Sequence, residues 1–379
     1  MITYLDNSAT SWPKPLAVAE AISQYLTHYG ASPGHSAHSL SLQAARVVFE
    51  TRELLSMLFN NDSSEKVVFA ANATHALNIA IKGLLSKGDH VIISSMEHNS
   101  VVRPVRNLGE KGIIEVSVAN RDQLGVLDSN QIKSLLRKNT KMVICNHGSN
   151  VTGTIQDIAK IGQICKENNV LFLVDAAQTA GFVPIDMVNQ NIDIMVFTGH
   201  KRLHGPTGIG GLCINGDIKI ETFVHGGTGS RSESEAHPDF LPDSLEAGTL
   251  NTVGVVGLNA GVKFTLEQGF ERIQSQQYDL AQILIDGLEE IRGISLFGKL
   301  DVKNRLPVVS LKSNKYSSSE LSYLLDYKYK IMTRAGLHCA PWAHKTIGTF
   351  PEGTLRFSIG FFNTKEQINH TVKAMKELH

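Results

Sequence analysis

Two residues of opposite chemistry, Asp175 and Lys201, follow apolar runs in the stretch LFLVDAAQTAGFVPIDMVNQNIDIMVFTGHK, which spans Leu171 to Lys201. The first run ends at Asp175, the second in Thr198, Gly199, His200 and Lys201, and the residues between are enough for a crossover in an α/β sheet. Open α/β sheets bind ligands at the carboxyl ends of their strands. A carboxylate there can pair with a protonated ring nitrogen and an amine can condense with an aldehyde, the two demands that pyridoxal phosphate makes of a protein.

Taken singly, each residue has a plainer reading: a lysine after a strand is ordinarily a surface residue, and an aspartate at a strand end ordinarily caps a helix. The cofactor reading needs company, and the chain offers it. Asn72-Ala73-Thr74-His75 stands where a strand gives way to a helix, whose unpaired N–H groups and positive dipole end attract a phosphate. Thr198 and His200 bring polar groups to the same anion. His98, in SSMEHNS, can lie on a pyridine ring and shuttle protons, and Gln178, shortly after Asp175, can reach the ring's phenolic oxygen. An isolated strand-end histidine or helix-start glutamine is otherwise a solvated polar group.

The elements that must carry these residues are legible in outline. From Lys66 to Leu212, β-rich runs alternate with amphipathic stretches, as in βαβ units around a mostly parallel sheet. Strands are predicted at VVFA, HVIIS, IIEVSV, KMVICN, VLFLVD, IDIMVFT and GIGGLCI, and helices over THALNIAIKGLLSK and DIAKIGQICKEN. After Asn251 a long helical pattern runs from about Val253 to Ile291. Strands at PVVSLK and TLRFSIGF follow, and then a closing helix after Thr364, which with Gln367 matches a capping box. The expected organisation is a large cofactor domain over residues 15–252 and a smaller α+β domain made of residues 1–14 and 253–379. The Gly-, Ser- and Pro-rich stretch from Phe223 to Gly248 reads as a functional excursion.

Composition narrows the function class. Of 379 residues, 42% are hydrophobic and 19% charged, and 36 basic residues balance 36 acidic ones, which gives no electrostatic case for nucleic acid or an anionic membrane. No apolar run reaches the roughly eighteen residues of a membrane helix, and MITYLDNSATSWPKP lacks the pattern of a secretory signal, so a cytoplasmic protein acting on a small molecule is expected. Four scattered cysteines form no disulfide framework and no CxxC pair, and no metal is expected. Cys145, Cys165 and Cys213 lie in apolar stretches. Cys339, in RAGLHCAPWAHK, has cationic and turn-forming neighbours and is the thiol suited to chemistry.

The ordered series YLDNSAT, NATHALN, MEHNS, SNVTG, VDAAQTAG, TGHK, EAGTLN, RAGLHCA and LRFSIGFFNT resembles the class V aminotransferase family nearly end to end, and within it the cysteine desulfurases and selenocysteine lyases. The resemblance implies a fold-type I pyridoxal phosphate-dependent transferase working as a homodimer with sites at the subunit interface. It implies that Lys201 is the Schiff-base lysine, Asp175 the ring-nitrogen partner, His98 the stacking base and Gln178 the phenolic-oxygen partner. Thr74, Thr198 and His200 would hold the phosphate, with Thr249 of EAGTLN supplied by the neighbouring subunit. Asn150 and Arg356 resemble the residues that hold a substrate carboxylate, a task that suits the planar fork of arginine.

In relatives of the RxGxHCA type a thiolate attacks the substrate's sulfur, leaving a persulfide on the enzyme and alanine as product. Cys339 matches that thiol, with Arg334 and His338 as flanking positive charge. The expected function is therefore a cysteine desulfurase of the kind that feeds sulfur metabolism and iron–sulfur cluster assembly through an acceptor protein or small thiol. Selenocysteine lyase or cysteine sulfinate desulfinase activity is the nearest alternative, ahead of an aminotransferase or a non-catalytic scaffold. Three departures stand out: RLHGPTGIGG after Lys201 has one residue more before Gly-Pro than the compact form and places Arg202 and His204 near the site; Ala73-Thr74 replaces two adjacent hydroxyl residues; and Leu337 stands where many relatives have histidine.

Overall fold

A computed structural model describes residues 2–34 and 38–379. The central sheet is built from β2 (Val67–Ala70), β3 (His90–Ser94), β4 (Glu115–Ala119), β5 (Thr140–Asn146), β6 (Leu171–Asp175), β7 (Ile194–Thr198) and β8 (Gly210–Ile214), after a short β1 (Thr3–Tyr4) near the amino end. Its order is β2-β8-β7-β6-β5-β3-β4, and only β8 runs against the others. Alternation along each strand explains why both faces are covered. Ile92, Val143, Phe172, Val174 and Phe197 point into one core, while Val91, Ile93, Ile144, Leu173 and Val196 point into the other. Near-continuous apolar strands of this kind are what a sheet buried on both faces requires.

The helices on the two faces begin with α1 (Leu16–Gln24), α2 (Ser39–Phe59), α3 (Ala73–Leu84) and α4 (Asn99–Glu110). They continue with α5 (Ser129–Leu135), α6 (Ile158–Glu167) and α7 (Thr252–Gln268). Between β6 and β7 the crossover contains turns and no helix, yet Ala176, Ala180, Ile185, Met187 and Ile192 are buried in the sheet's core. The helical pattern from Val253 to Ile291 is two helices, α7 and α8 (Phe270–Glu289), broken at Gly269, whose φ of 74° favours glycine. α7 sends Val255, Leu258 and Val262 into the core with Phe197 and Leu203.

The remaining elements are β9 (Ile294–Phe297), β10 (Val308–Ser313), α9 (Ser318–Tyr329), β11 (Ile331–Met332), β12 (Arg334–Gly336), α10 (Pro341–Thr346), β13 (Thr354–Ser358) and α11 (Lys365–Leu378). An antiparallel sheet in the order β12-β13-β10-β9 packs on α8 and α11 through Leu284, Leu311, Phe357 and Ile368. Thr364 and Gln367 form the predicted capping box at the start of α11. β1 pairs in parallel with β11, which brings the amino-terminal segment beside the last third of the chain. No described helix is long and apolar enough to cross a membrane.

The stretch from Phe223 to Gly248 forms no strand or helix and returns to the body through Glu246. Both Glu246 carboxylate oxygens meet Arg52, at 2.9 and 2.7 Å, and one of them also accepts from Phe69 N. Such a bidentate, largely buried pair fixes orientation as well as charge.

Candidate functional site

The carboxyl ends of β2, β3, β5, β6 and β7 open onto a cavity of about 510 Å3, closed on the far side by β12, β13 and the loop after β12. Thr74, His98, Asn150, Asp175, Gln178, Thr198, His200, Lys201, Cys339 and Arg356 all line it. These residues come from distant parts of the sequence, and the parallel strands deliver them to one place. Thr249 does not line it. It is exposed, beside a neighbouring hollow formed with Phe223, Val224 and Leu250.

Asp175 is buried at the last position of β6, with Oδ1 accepting from Ala177 N at 2.9 Å. Burial pushes its carboxyl up, while the Ala177 N–H and the Lys201 charge pull it down. It is thus both the local cap of the plainer reading and an acid facing the cavity. Lys201 follows β7 through Gly199, where a Cβ would stand 2.9 Å from Ile209 Cγ2, so the close turn admits no larger residue without displacement. Burial pulls the Lys201 amine down to about 8, against Asp175 and with help from the Arg356, Arg334 and Arg202 charges. A substantial neutral fraction near pH 8 makes it a usable nucleophile and base.

The cradle at α3 is narrower than the sequence suggests. Asn72 caps the helix, its side chain accepting from His75 N at 3.0 Å, and Thr74 Oγ1 is 2.7 Å from Ser100 Oγ. His75 turns away from the cavity, accepting from Ala71 N through Nδ1 and packing its ring on Phe223, so it does not belong to the cradle. Ser100, a residue of MEHNS with no chemistry of its own in the sequence, joins Thr74 to His98: its Oγ lies 2.8 Å from His98 Nδ1. Ser8 and Asn146 are further cavity residues to which no role was assigned.

His98 Nδ1 also accepts from Ser100 N at 3.1 Å, which places the ring proton on Nε2. Burial, then the Lys201 charge, brings His98 down to about 4. The ring is therefore neutral near pH 7, and its basic nitrogen is already engaged. It suits a flat partner and a donor through Nε2 better than a general base.

Several buried polar atoms around the cavity have no partner: Thr198 Oγ1, His200 Nδ1, Gln178 Oε1 and Arg356 Nε. A native fold tolerates few such atoms, and their convergence on one cavity fits a polar guest with an anionic group. Gln178 is buried, its Nε2 donating to Ser8 O at 3.0 Å, so it is not the solvated glutamine of the plainer reading. Together with Asp175, Lys201 and the α3 N-terminus, these groups fit pyridoxal phosphate.

Arg356 lies on β13 and is 1% exposed, which removes the reading of a surface salt bridge on an exposed strand. Its Nη1 donates to Asn150 O at 3.0 Å and its Nη2 to Asp6 Oδ1 at 2.6 Å. Asn150 Nδ2 in turn donates to His338 O at 2.8 Å. Arg334 pairs directly across from Arg356 and reaches Cys339 Sγ at 4.0 Å.

Cys339 is exposed, whereas Cys145, Cys165 and Cys213 are buried, and burial pushes all three of those thiols up. His338 and Cys339 have φ values of 52° and 57°, consecutive left-handed positions that cost L-residues about 1–2 kcal/mol each. The loop holds them there through Asn99 N donating to Cys339 O at 2.8 Å. His338 is not the flanking positive charge that was expected. It is 4% exposed with both ring nitrogens unpartnered, and burial holds its imidazole far below the ordinary range, whereas Arg334 lies 4.0 Å from Cys339 Sγ.

The side chains of Arg202 and His204 do not line the cavity, although the Arg202 charge acts on the Lys201 amine. Arg202 turns to the opposite side, its Nη1 donating to Gln277 Oε1 at 2.9 Å and its guanidinium lying over the Phe182 ring. His204 is buried edge-on to Phe264, and burial brings it down to about 3. Both side chains thus tie the Lys201 turn to the packing behind it.

Buried neutral histidines have a consequence for stability. His147, His204, His338 and His344 are all at most 4% exposed, and burial depresses each below its ordinary 6.5. Below pH 6.5 the unfolded chain gains protons that the folded chain refuses, so their contribution is intact above 6.5 and lost as pH falls towards the folded values. The thermal midpoint is expected to fall by about 5 °C between pH 6.5 and 5, the raised carboxyl of buried Glu97 offsetting part of the loss. Scanning calorimetry across that range checks it, and a flat midpoint down to pH 5 contradicts it.

Comparison with known proteins agrees with this architecture. The model of the class-V aminotransferases matches residues 3–370. A probable cysteine desulfurase from Methanothermobacter thermautotrophicus is 35% identical, over 99% of this chain and 94% of its own. The cysteine desulfurase IscS of Buchnera aphidicola is 32% identical, over 99% and 92%. Among solved structures, the apo cysteine desulfurase from Thermococcus onnurineus NA1 superposes with a TM-score of 0.93 at 31% identity, covering 100% of this chain and 94% of that one. With the match running across nearly its whole length, the chain belongs to the class-V aminotransferase family.

Proposed function

We propose that the protein is a pyridoxal phosphate-dependent cysteine desulfurase that converts L-cysteine to L-alanine and collects the sulfur as a persulfide on Cys339. The observation that carries this reading is the meeting of Cys339, the exposed thiol, with Lys201 and Asp175 on one cavity. Relatives bearing the name cysteine desulfurase support it.

In this reading Lys201 attaches the cofactor, Asp175 faces the ring nitrogen, Gln178 Nε2 the phenolic oxygen and His98 the ring face, while Thr74, Thr198 and His200 receive the phosphate. Pyridoxal phosphate, when bound, supplies an electron sink for the charge left at Cα. Arg356 and Asn150 orient the substrate carboxylate so that its side chain points to the loop after β12. Lys201, partly neutral near pH 8, takes and returns the Cα proton, since His98 has its basic nitrogen occupied. Cys339 Sγ then bonds to the substrate sulfur as the substrate's C–S bond breaks. Arg334 Nη2, 4.0 Å from Sγ, brings a cation beside the reacting thiol.

Thr249, exposed and outside this chain's own cavity, is read as a phosphate ligand for a second copy, which makes the working form a homodimer. An acceptor protein or a small thiol takes the persulfide from the exposed loop. The test is a product assay with cysteine coupled to intact-mass detection of Cys339. Alanine should form together with sulfur on that residue; alanine release with an unmodified Cys339 under non-reducing conditions contradicts the persulfide route.

A further inference from the structure

The motif YLDNSAT has no part in the chemistry above, yet its residues lie against both halves of the site. Ser8 O holds Gln178, and the hydroxyls of Thr10 and Ser11, with Lys14 Nζ, converge on His200 O. On the other side Asp6 meets Arg356 at 2.6 Å. Asp6 itself does not line the cavity that Arg356 lines.

Its backbone is fixed there. Asp6 forms a bridge to Ser358, Asn7 Nδ2 donates to Ser358 O at 3.0 Å, and Ser8 N donates to Ser358 Oγ at 2.9 Å. Arg356 stands two residues earlier on the same strand. With Nη2 taken by Asp6 Oδ1 and Nη1 by Asn150 O, rotation of the guanidinium about its stem is blocked, and the buried Nε is left without a partner. A carboxylate meeting a fixed fork finds its donors already aimed, which removes an ordering cost from binding.

We propose that Asp6 is a positioning residue for Arg356 and sets the plane of the guanidinium that receives the substrate carboxylate. Its work is done by the hydrogen bond more than by the charge. The inference rests on the reading of Arg356 as the carboxylate clamp.

The test uses holoenzyme variants, steady-state kinetics with L-cysteine and calorimetric titration with L-alanine as the carboxylate probe. Asp6→Ala should raise KM and weaken L-alanine binding by about tenfold, with kcat changed less than about threefold. Asp6→Asn keeps an oxygen acceptor of the same shape and should return both values to within about threefold of the parent. If Asp6→Ala binds L-alanine as well as the parent or more tightly, or if Asp6→Asn is impaired as much as Asp6→Ala, the proposal is overturned. Arg356→Lys separates the two readings. L-alanine binding unchanged by that variant removes the clamp itself, whereas loss in Arg356→Lys with parental binding in Asp6→Ala removes only the role of Asp6.

Discussion

Lys201→Ala is expected to lower alanine formation from cysteine by about four orders of magnitude and to abolish covalent attachment of the cofactor, read as loss of the visible absorption band. The effect is large because the reading gives one amine two duties. Burial leaves Lys201 at about 8, low enough for a neutral fraction, while Asp175 keeps it from falling further. Among the described residues no second lysine lines the cavity, and His98, held near 4 with Nδ1 occupied, cannot assume the proton transfer. In the parent, cofactor-free protein should reload faster as pH rises through about 8, because deprotonation produces the attacking amine. Turnover by Lys201→Ala within tenfold of the parent would overturn the assignment.

Cys339→Ser should reduce sulfur removal from cysteine at least about a hundredfold while leaving the cofactor spectrum and L-alanine binding unchanged. Serine fits the same loop position and keeps a polar group near Arg334, so the substitution isolates nucleophilicity from packing. The other three thiols cannot substitute: Cys145, Cys165 and Cys213 are buried in the core beneath the sheet, on the face that α2, α6 and α7 cover. Parallel assays with selenocysteine define the substrate branch. A reaction that survives Cys339→Ser with selenocysteine but not with cysteine places the thiol's task in sulfur capture alone. Full-rate sulfide formation from cysteine in the variant rules that task out.

Much of this site could be read before the structure because strand ends are legible. An apolar run that stops at Asp175, and another at Thr198, mark where side chains emerge from a covered sheet, and parallel pairing then brings them together. What escaped the sequence was direction. Arg202 and His204, one and three residues after Lys201, turn to Gln277 and Phe264, and residue type alone does not say which way a side chain leaves a turn. His75 is lost from the cradle in the same way. His338 misled for another reason: formal charge was inferred from residue type, and burial cancels it. The change of pattern near Val253 marks where α7 begins, and α7 packs Val255, Leu258 and Val262 into the core of the central sheet. Asp6 and Ser100 belong to YLDNSAT and MEHNS, but a residue that holds another residue has no chemical signature of its own.

The parallel pairing of β1 with β11 imposes an order of events on synthesis. The residues around Asp6 leave the ribosome more than three hundred positions before Arg356, their partner. Through most of translation that segment has no strand to join, and loop closure over such a span is slow compared with pairing inside the βαβ region. The central sheet can therefore assemble first, its strand ends in place and its cavity open on one side. Substrate recognition would be the last property the nascent chain acquires, after the part of the site that retains the cofactor has already formed.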